Sequence, residues 1–177
     1  MLFRSVSAFQ FSREDFASTV LAILEEAGLP ASLLELELTE TAVVRDIAEM
    51  APKIEALRQL GIRVAIDDFG SGYSSFSYLE QLPVASVKID RSFIKSLDSA
   101  PRARSVVKGM VTLAHSIGLR VVVEGVETSA QLDALFGSGA DDVQGFLLGR
   151  PAPVEKHLPE LSSDIEDPDL AALRLLS

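Results

Sequence analysis

Asp67 and Asp68 stand side by side at the end of the apolar run Ala65-Ile66, and Phe69, Gly70, Ser71, Gly72, Tyr73, Ser74 and Ser75 follow at once. Carboxylates at a strand end, next to a Gly- and Ser-rich loop, are a natural seat for hard divalent cations and a phosphate-bearing substrate. Four further polar residues close other short aliphatic runs: Glu37, Lys88, Glu124 and Gln144. Gathered into one mouth, Glu37, Asp67, Asp68 and Glu124 could not all stay ionised unless protons or cations neutralised them. Such oxygen donors suit Mg²⁺ or Mn²⁺. Asp67 and Asp68 could serve two ions about 3.5–4 Å apart, with Asp67 bridging, an arrangement that clamps the attacking and leaving oxygens of a phosphodiester. Lys88 could stabilise the attacking water or the developing charge.

Positioning these residues requires an alternation of strands and helices, and the sequence provides one. The pattern predicts a helix over 13–27, entered through a capping box at Ser12 and Asp15 and stopped by Gly28 and Pro30. Strands are expected at 34–38, 62–67, 86–90, 120–124 and 142–146, with a remnant near 3–6. Further helices are expected at about 47–60, 102–117, 129–136 and 154–161, and a last short one at 170–175 beyond an acidic, loop-like 162–168. Strands alternating with helices imply a parallel sheet.

The parity of the polar residues narrows the fold. Glu35 and Glu37 share one face of their strand, opposite Leu34, Leu36 and Leu38; Arg63, Ala65 and Asp67 lie opposite Ile62, Val64 and Ile66. Ser86, Lys88 and Asp90 share a face, as do Val122 and Glu124, and Asp142 and Gln144 flank Val143. A doubly wound sheet, covered on both faces, favours fully apolar strands. One aliphatic and one polar face instead fit a barrel ringed by helices, with its active site at the C-terminal rim. The rim candidates are Glu37, Asp67, Lys88, Glu124 and Gln144. Glu40, one turn past Glu37, reads as a cap or supporting group; His115 and His157 read as structural, and Phe3, Phe9, Phe11 and Phe16 as core.

The 177 residues suffice for one domain with a core. The absence of cysteine excludes disulfides and thiolate metal sites and fits a cytoplasmic setting. A net charge of −10 argues against binding DNA or RNA polymers, though not against a small anion held through metal ions. No apolar run reaches transmembrane length, and the first residues do not read as a signal peptide.

At its site residues the chain resembles the EAL domain family, the bacterial cyclic-di-GMP phosphodiesterases. The matching segments are Glu37-Leu38-Thr39-Glu40, Asp67 to Ser75, Lys88-Ile89-Asp90, Glu124-Gly125-Val126-Glu127, Gln144-Gly145-Phe146 and Gly149-Arg150-Pro151, in family order. The resemblance implies an α/β, TIM-like (β/α) barrel that hydrolyses cyclic-di-GMP to linear pGpG with Mg²⁺ or Mn²⁺, two ions in an intact domain. It implies Glu37, Asp67, Asp68 and Glu124 as metal ligands and Glu124, Lys88 and Gln144 as catalytic. Glu40, Glu127 and Asp90 would support the site and anchor the loop, while Phe69, Gly70, Ser71, Gly72, Tyr73, Ser74 and Ser75 would form the loop that contacts substrate and contributes to dimerisation.

The resemblance assigns 1–161 to the C-terminal part of an EAL domain and 162–177 to an acidic tail. A typical barrel of this kind needs about 250 residues and eight strands, of which about six are expected here. The Glu-Ala-Leu motif itself is absent, with its metal-binding glutamate and a nearby substrate-binding arginine, and Ser5 aligns where a family asparagine would ligate metal. An incomplete barrel exposes two strand edges, so a homodimer or other self-association is expected. Sensory or GGDEF domains would accompany the domain in a longer parent, itself cytoplasmic or membrane-attached. The alternative is a catalytically inactive fragment acting as a cyclic-di-GMP sensor or protein-interaction module.

Overall fold

The computed structural model describes residues 2–72 and 76–150. Six parallel strands form one curled sheet whose spatial order repeats their order in the chain: β1 (Leu2–Ser5), β2 (Leu34–Thr39), β3 (Arg63–Phe69), β4 (Ser86–Ile89), β5 (Arg120–Val123) and β6 (Asp142–Val143). Among the described residues six α-helices lie between the strands: α1 (Ala8–Ser12), α2 (Phe16–Glu26), α3 (Glu40–Val44), α4 (Ile47–Gln59), α5 (Pro101–Ser116) and α6 (Ser129–Leu135), with a 3₁₀ helix, Phe76–Gln81, between β3 and β4. The architecture is an incomplete TIM-like barrel, and among the described residues β1 and β6 each have a neighbour on one side only.

The aliphatic strand faces pack outward onto the helices. Leu36, Leu38, Val64, Ile66, Val87, Ile89, Val121 and Val123 are all buried. α5 answers with Val107, Met110, Val111 and Ala114, spaced three and four residues apart on one face, and α4 with Met50, Ile54 and Leu57. The lumen side carries Glu35, Glu37, Ser86 and Lys88, which are also buried. No described helix is long and apolar enough to cross a membrane.

Several boundaries differ from those expected. The capping box sits at Ser7 and Gln10, where it opens the short α1; the following helix begins only at Phe16, with Asp15 at its N-cap making no side-chain capping bond. α1 turns Phe11 fully inward and leaves Phe9 79% exposed, and Phe3 on the free edge of β1 is 55% exposed. Only Phe11 and the partly buried Phe16 therefore join the core, their rings 5.3 Å apart. α3 starts directly from the end of β2, where the β-branched Thr41, Val43 and Val44 hid a helical turn. β6 consists of Asp142 and Val143 alone, the first two residues of the expected five-residue strand. The expected helices at 154–161 and 170–175 lie outside the described residues.

β3 runs two residues further than the pattern suggested and contains both acids. Its pairing with β4 slips between Ile66 and Phe69: three steps along β3 match two along β4, from Val87 to Ile89. This one-residue bulge coincides with Asp68, whose φ of +54° lies in the left-handed region. The extra residue returns Phe69 to the buried aliphatic side, where it is 0% exposed.

Candidate active site

The C-terminal ends of β2, β3, β4 and β5 bring Glu37, Asp67, Lys88 and Glu124 together. Lys88 Nζ lies 2.6 Å from Glu37 Oε1, contacts Glu124 Oε1 and lies 3.9 Å from Asp67 Oδ1. Parallel register explains the meeting: Glu37 pairs with Ala65 two residues before Asp67, while Lys88 pairs with Val122 two residues before Glu124. A Lys buried this deeply needs such partners. Burial alone would push its pKa down, but hydrogen bonds to Glu124 and Glu37 and the charges of Glu124 and Asp67 raise it to about 12. Glu124 moves the other way: burial lifts its carboxyl above the ordinary range, and Lys88 only partly opposes this.

Asp68 is also raised, first by burial and then by the nearby charges of Asp67 and Asp90. Asp90 caps the 3₁₀ turn that follows β4 by accepting from Ser92 N–H at 2.9 Å. Against the cost of its burial, those bonds hold its carboxyl below the usual range. Asp67 Oδ1 accepts from Asp68 N–H at 2.9 Å across the bulge.

Glu40 stands just beyond the cluster. Its carboxylate accepts from Gly70 N–H and from Tyr78 Oη, both at 3.0 Å, so one buried side chain ties the two flanks of 69–75 together. Gly70 has a φ of +89°, and a Cβ there would meet Met110 Cε at 2.7 Å and the Phe93 ring at 2.8 Å. Tyr73, Ser74 and Ser75 lie outside the described residues.

Gln144 follows β6 and, with Lys88, borders a lumen cavity of about 410 Å³ that Glu35, Arg63 and Ser86 also line. Its backbone joins the neighbouring turn, with Gln144 N–H donating to the Val123 carbonyl and Val126 N–H donating to the Gln144 carbonyl. Gly145 lies so close to the Val126 backbone that a Cβ would collide with it. Glu127 is exposed, and its backbone N–H donates to Gln131 Oε1 at 2.8 Å. The site thus brings together Glu37, Asp67, Lys88 and Glu124, with Asp68 and Asp90 adjoining, while Glu127 stands apart.

Of two further partners, the family resemblance places Ser5 at the site, and Tyr78 escaped the sequence reading. Ser5 Oγ donates to Glu37 Oε2 at 3.0 Å, so the serine at the end of β1 does reach the site. Tyr78 follows the loop in a 3₁₀ turn and is buried by its bond to Glu40; an aromatic hydroxyl just after a Ser-rich loop was the available signal. Deeper in the lumen, Glu35 pairs with Arg63 at 3.6 Å and accepts from Ser86 Oγ at 3.4 Å. His115 bonds Asp141 at 2.8 Å on the opposite side of the domain, in keeping with a structural role.

The donor set consists of carboxylate oxygens, which fits a hard divalent cation in chemistry. In the arrangement seen, no three His, Asp or Glu side chains among the described residues are set to share an ion, since three carboxylates share Lys88 instead.

Comparison with known proteins gives the same picture. Residues 2–151 match the EAL domain. The chain is 42% identical over 147 residues to the cyclic di-GMP phosphodiesterase NbdA of Pseudomonas aeruginosa, covering 83% of this chain and 19% of NbdA. A solved structure of the MucR phosphodiesterase in complex with c-di-GMP superposes with a TM-score of 0.82 at 40% identity, covering 87% of this chain and 62% of that one. The manganese/cyclic-di-GMP complex of Klebsiella pneumoniae BlrP1 superposes with a TM-score of 0.80 at 30% identity, covering 86% and 39%. The chain spans about a fifth of the length of the curated relatives it matches. With the curled parallel sheet, the rim carboxylates and this extent of matching sequence all in agreement, the chain belongs to the EAL domain family.

Proposed function

We propose that this chain carries the C-terminal part of an EAL phosphodiesterase domain that opens cyclic-di-GMP to linear pGpG in second-messenger signalling. The observation that carries the reading is the cluster of Glu37, Asp67 and Glu124 around Lys88 at the C-terminal rim of an EAL-family barrel. The cyclic-di-GMP complexes of the MucR and BlrP1 relatives support the substrate, and the manganese in the latter supports the metal.

Glu37, Asp67, Asp68 and Glu124 would hold Mg²⁺ or Mn²⁺. When bound, such ions polarise a phosphate oxygen and lower the pKa of water. Glu124, whose carboxyl burial holds above its usual range, is suited to take a proton from the attacking water. Lys88 keeps a positive charge at the mouth through neutral pH and would offset charge developing on the phosphate. Gln144, which directly follows β6 at the same C-terminal rim, would orient the substrate. Glu40 holds Gly70 and Tyr78, so the loop between them meets the substrate from fixed ends.

The test is chromatography of cyclic-di-GMP incubated with the chain and Mn²⁺ or Mg²⁺. The expected result is pGpG from the wild type and none from Glu124→Gln. Turnover that survives Glu124→Gln would remove Glu124 from its assigned role. Absence of product with ligand binding retained would replace catalysis by sensing.

A further inference from the structure

A run of positive charge lies outside the mouth. Residues 91–108 carry Arg91, Lys95, Arg102, Arg104 and Lys108 against one acid, Asp98, in a chain of net charge −10. All five cations are exposed. Arg104 fastens the surface together. Its guanidinium donates to the Leu97 carbonyl at 2.9 Å and to the Asp98 carbonyl at 2.8 Å, drawing the loop that carries Lys95 onto the first turns of α5. Among the described residues no carboxylate forms a salt bridge with any of the five. Val106, 47% exposed, stands among them on α5.

The opposite charge lies near the other end of the sequence. Asp164, Glu166, Asp167 and Asp169 fall close together around Ile165, and no Lys or Arg occurs between 157 and 173. The described chain stops near the basic surface. Arg150 lies beyond β6, at the C-terminal rim, where neighbouring segments stack in turn: Gly145 against the Val126 backbone and Gly125 against Arg91, each so close that a Cβ would collide. The stretch from Arg150 to Asp164 reaches up to roughly 45 Å when extended. The mouth does not attract an acidic segment, because Glu37, Asp67 and Glu124 already outnumber Lys88 there.

We propose that the acidic segment 164–169 docks on the basic surface of its own chain, against Lys95, Arg102 and Lys108, with Ile165 resting on Val106. Single exposed ion pairs contribute little, but here several acids face several cations, and the chain connection supplies a high effective concentration. The docked segment lies beside Phe93, which packs against Gly70, so it links the end of the chain to the base of the 69–75 loop.

The chain has no cysteine, so Ser163→Cys provides a single site for a nitroxide. Its paramagnetic broadening of backbone amides is read by NMR against the reduced label. At low salt the amides of Lys95 and of 102–108 are expected to lose more than about half of their intensity, and to regain it in 1 M salt, where the screening length falls to about 3 Å. Replacing the four acids by Asn or Gln is expected to abolish the broadening at low salt. Broadening spread evenly over the domain, or persisting after the acids are neutralised, overturns the proposal. Mixing isotope-labelled wild type with spin-labelled chain at natural isotope abundance separates the sources. Broadening as strong in the mixture as in the doubly labelled chain places the segment on a second copy and overturns docking within one chain.

Discussion

Glu40 and Lys88 are both buried charges in the same mouth, held by opposite means. Glu40 is stabilised by donors: Glu40→Ala removes the bonds from Gly70 N–H and Tyr78 Oη, with whatever else the carboxylate holds, and is expected to cost about 3 kcal/mol, while Tyr78→Phe, which leaves the Gly70 bond in place, costs less. Urea denaturation of the two variants checks the order; a larger loss for Tyr78→Phe would contradict it. Lys88 is stabilised by acceptors. Its pKa is about 12 folded against 10.5 free, so its contribution is complete below pH 10.5 and disappears as pH rises through 12. The wild type should lose stability across that window beyond whatever Lys88→Met loses, and parallel melting curves for the two would contradict the assignment. The convergence of Glu37, Asp67, Lys88 and Glu124 was legible in the sequence because strand parity fixes which side chains share a face. That Lys88 would be the centre of the group was not, since parity gives a face but no distance. Tyr78 stayed hidden because its bond to Glu40 spans 38 residues of chain.

The elements were legible where periodicity is long and obscure where it is short. α4 and α5 carry two or more turns of apolar spacing and appear where expected. α1 and α3 have five residues each, too few for a period to declare itself, and the capping box at Ser7 was passed over for a weaker match at Ser12. That shift of entry point decides which phenylalanine is buried. Phe11→Ala is expected to cost about 3–5 kcal/mol, whereas Phe9→Ala should stay within about 0.5 kcal/mol; comparable losses in a denaturant series would refute the observed face of α1. The bulge in β3 was equally invisible, because one extra residue leaves no mark on composition. It places Asp68 where a side chain costs backbone energy, so Asp68→Val should be less stable than Asp68→Gly by at least about 1–2 kcal/mol in metal-free buffer. If the valine variant is the more stable, the strain is absent.

At the scale of the whole molecule, the barrel class followed from the contrast between an aliphatic and a polar strand face, a property of the complete strand set rather than of any motif. The open sheet leaves β1 and β6 each with a free edge among the described residues. Beside β1, an apolar groove of about 480 Å³ runs between Leu2 and Val6 on one side and Phe16, Val20 and Leu24 of α2 on the other. We expect these features to drive self-association of the chain, visible as a dimer or larger species in sedimentation velocity; a single monomeric boundary at tens of micromolar would count against it.

The strand order has one more consequence. Because each strand sits beside its immediate predecessor in the chain, every sheet contact is made between neighbouring βα units, about thirty residues apart. A ribosome releasing this chain would deliver the pieces in the order in which they dock, so β2 could receive β3, and β3 then β4, without waiting for a distant partner. Assembly becomes nearly one-dimensional, as in stacked-repeat proteins, and the energetic weight of an end unit falls chiefly on its single neighbour.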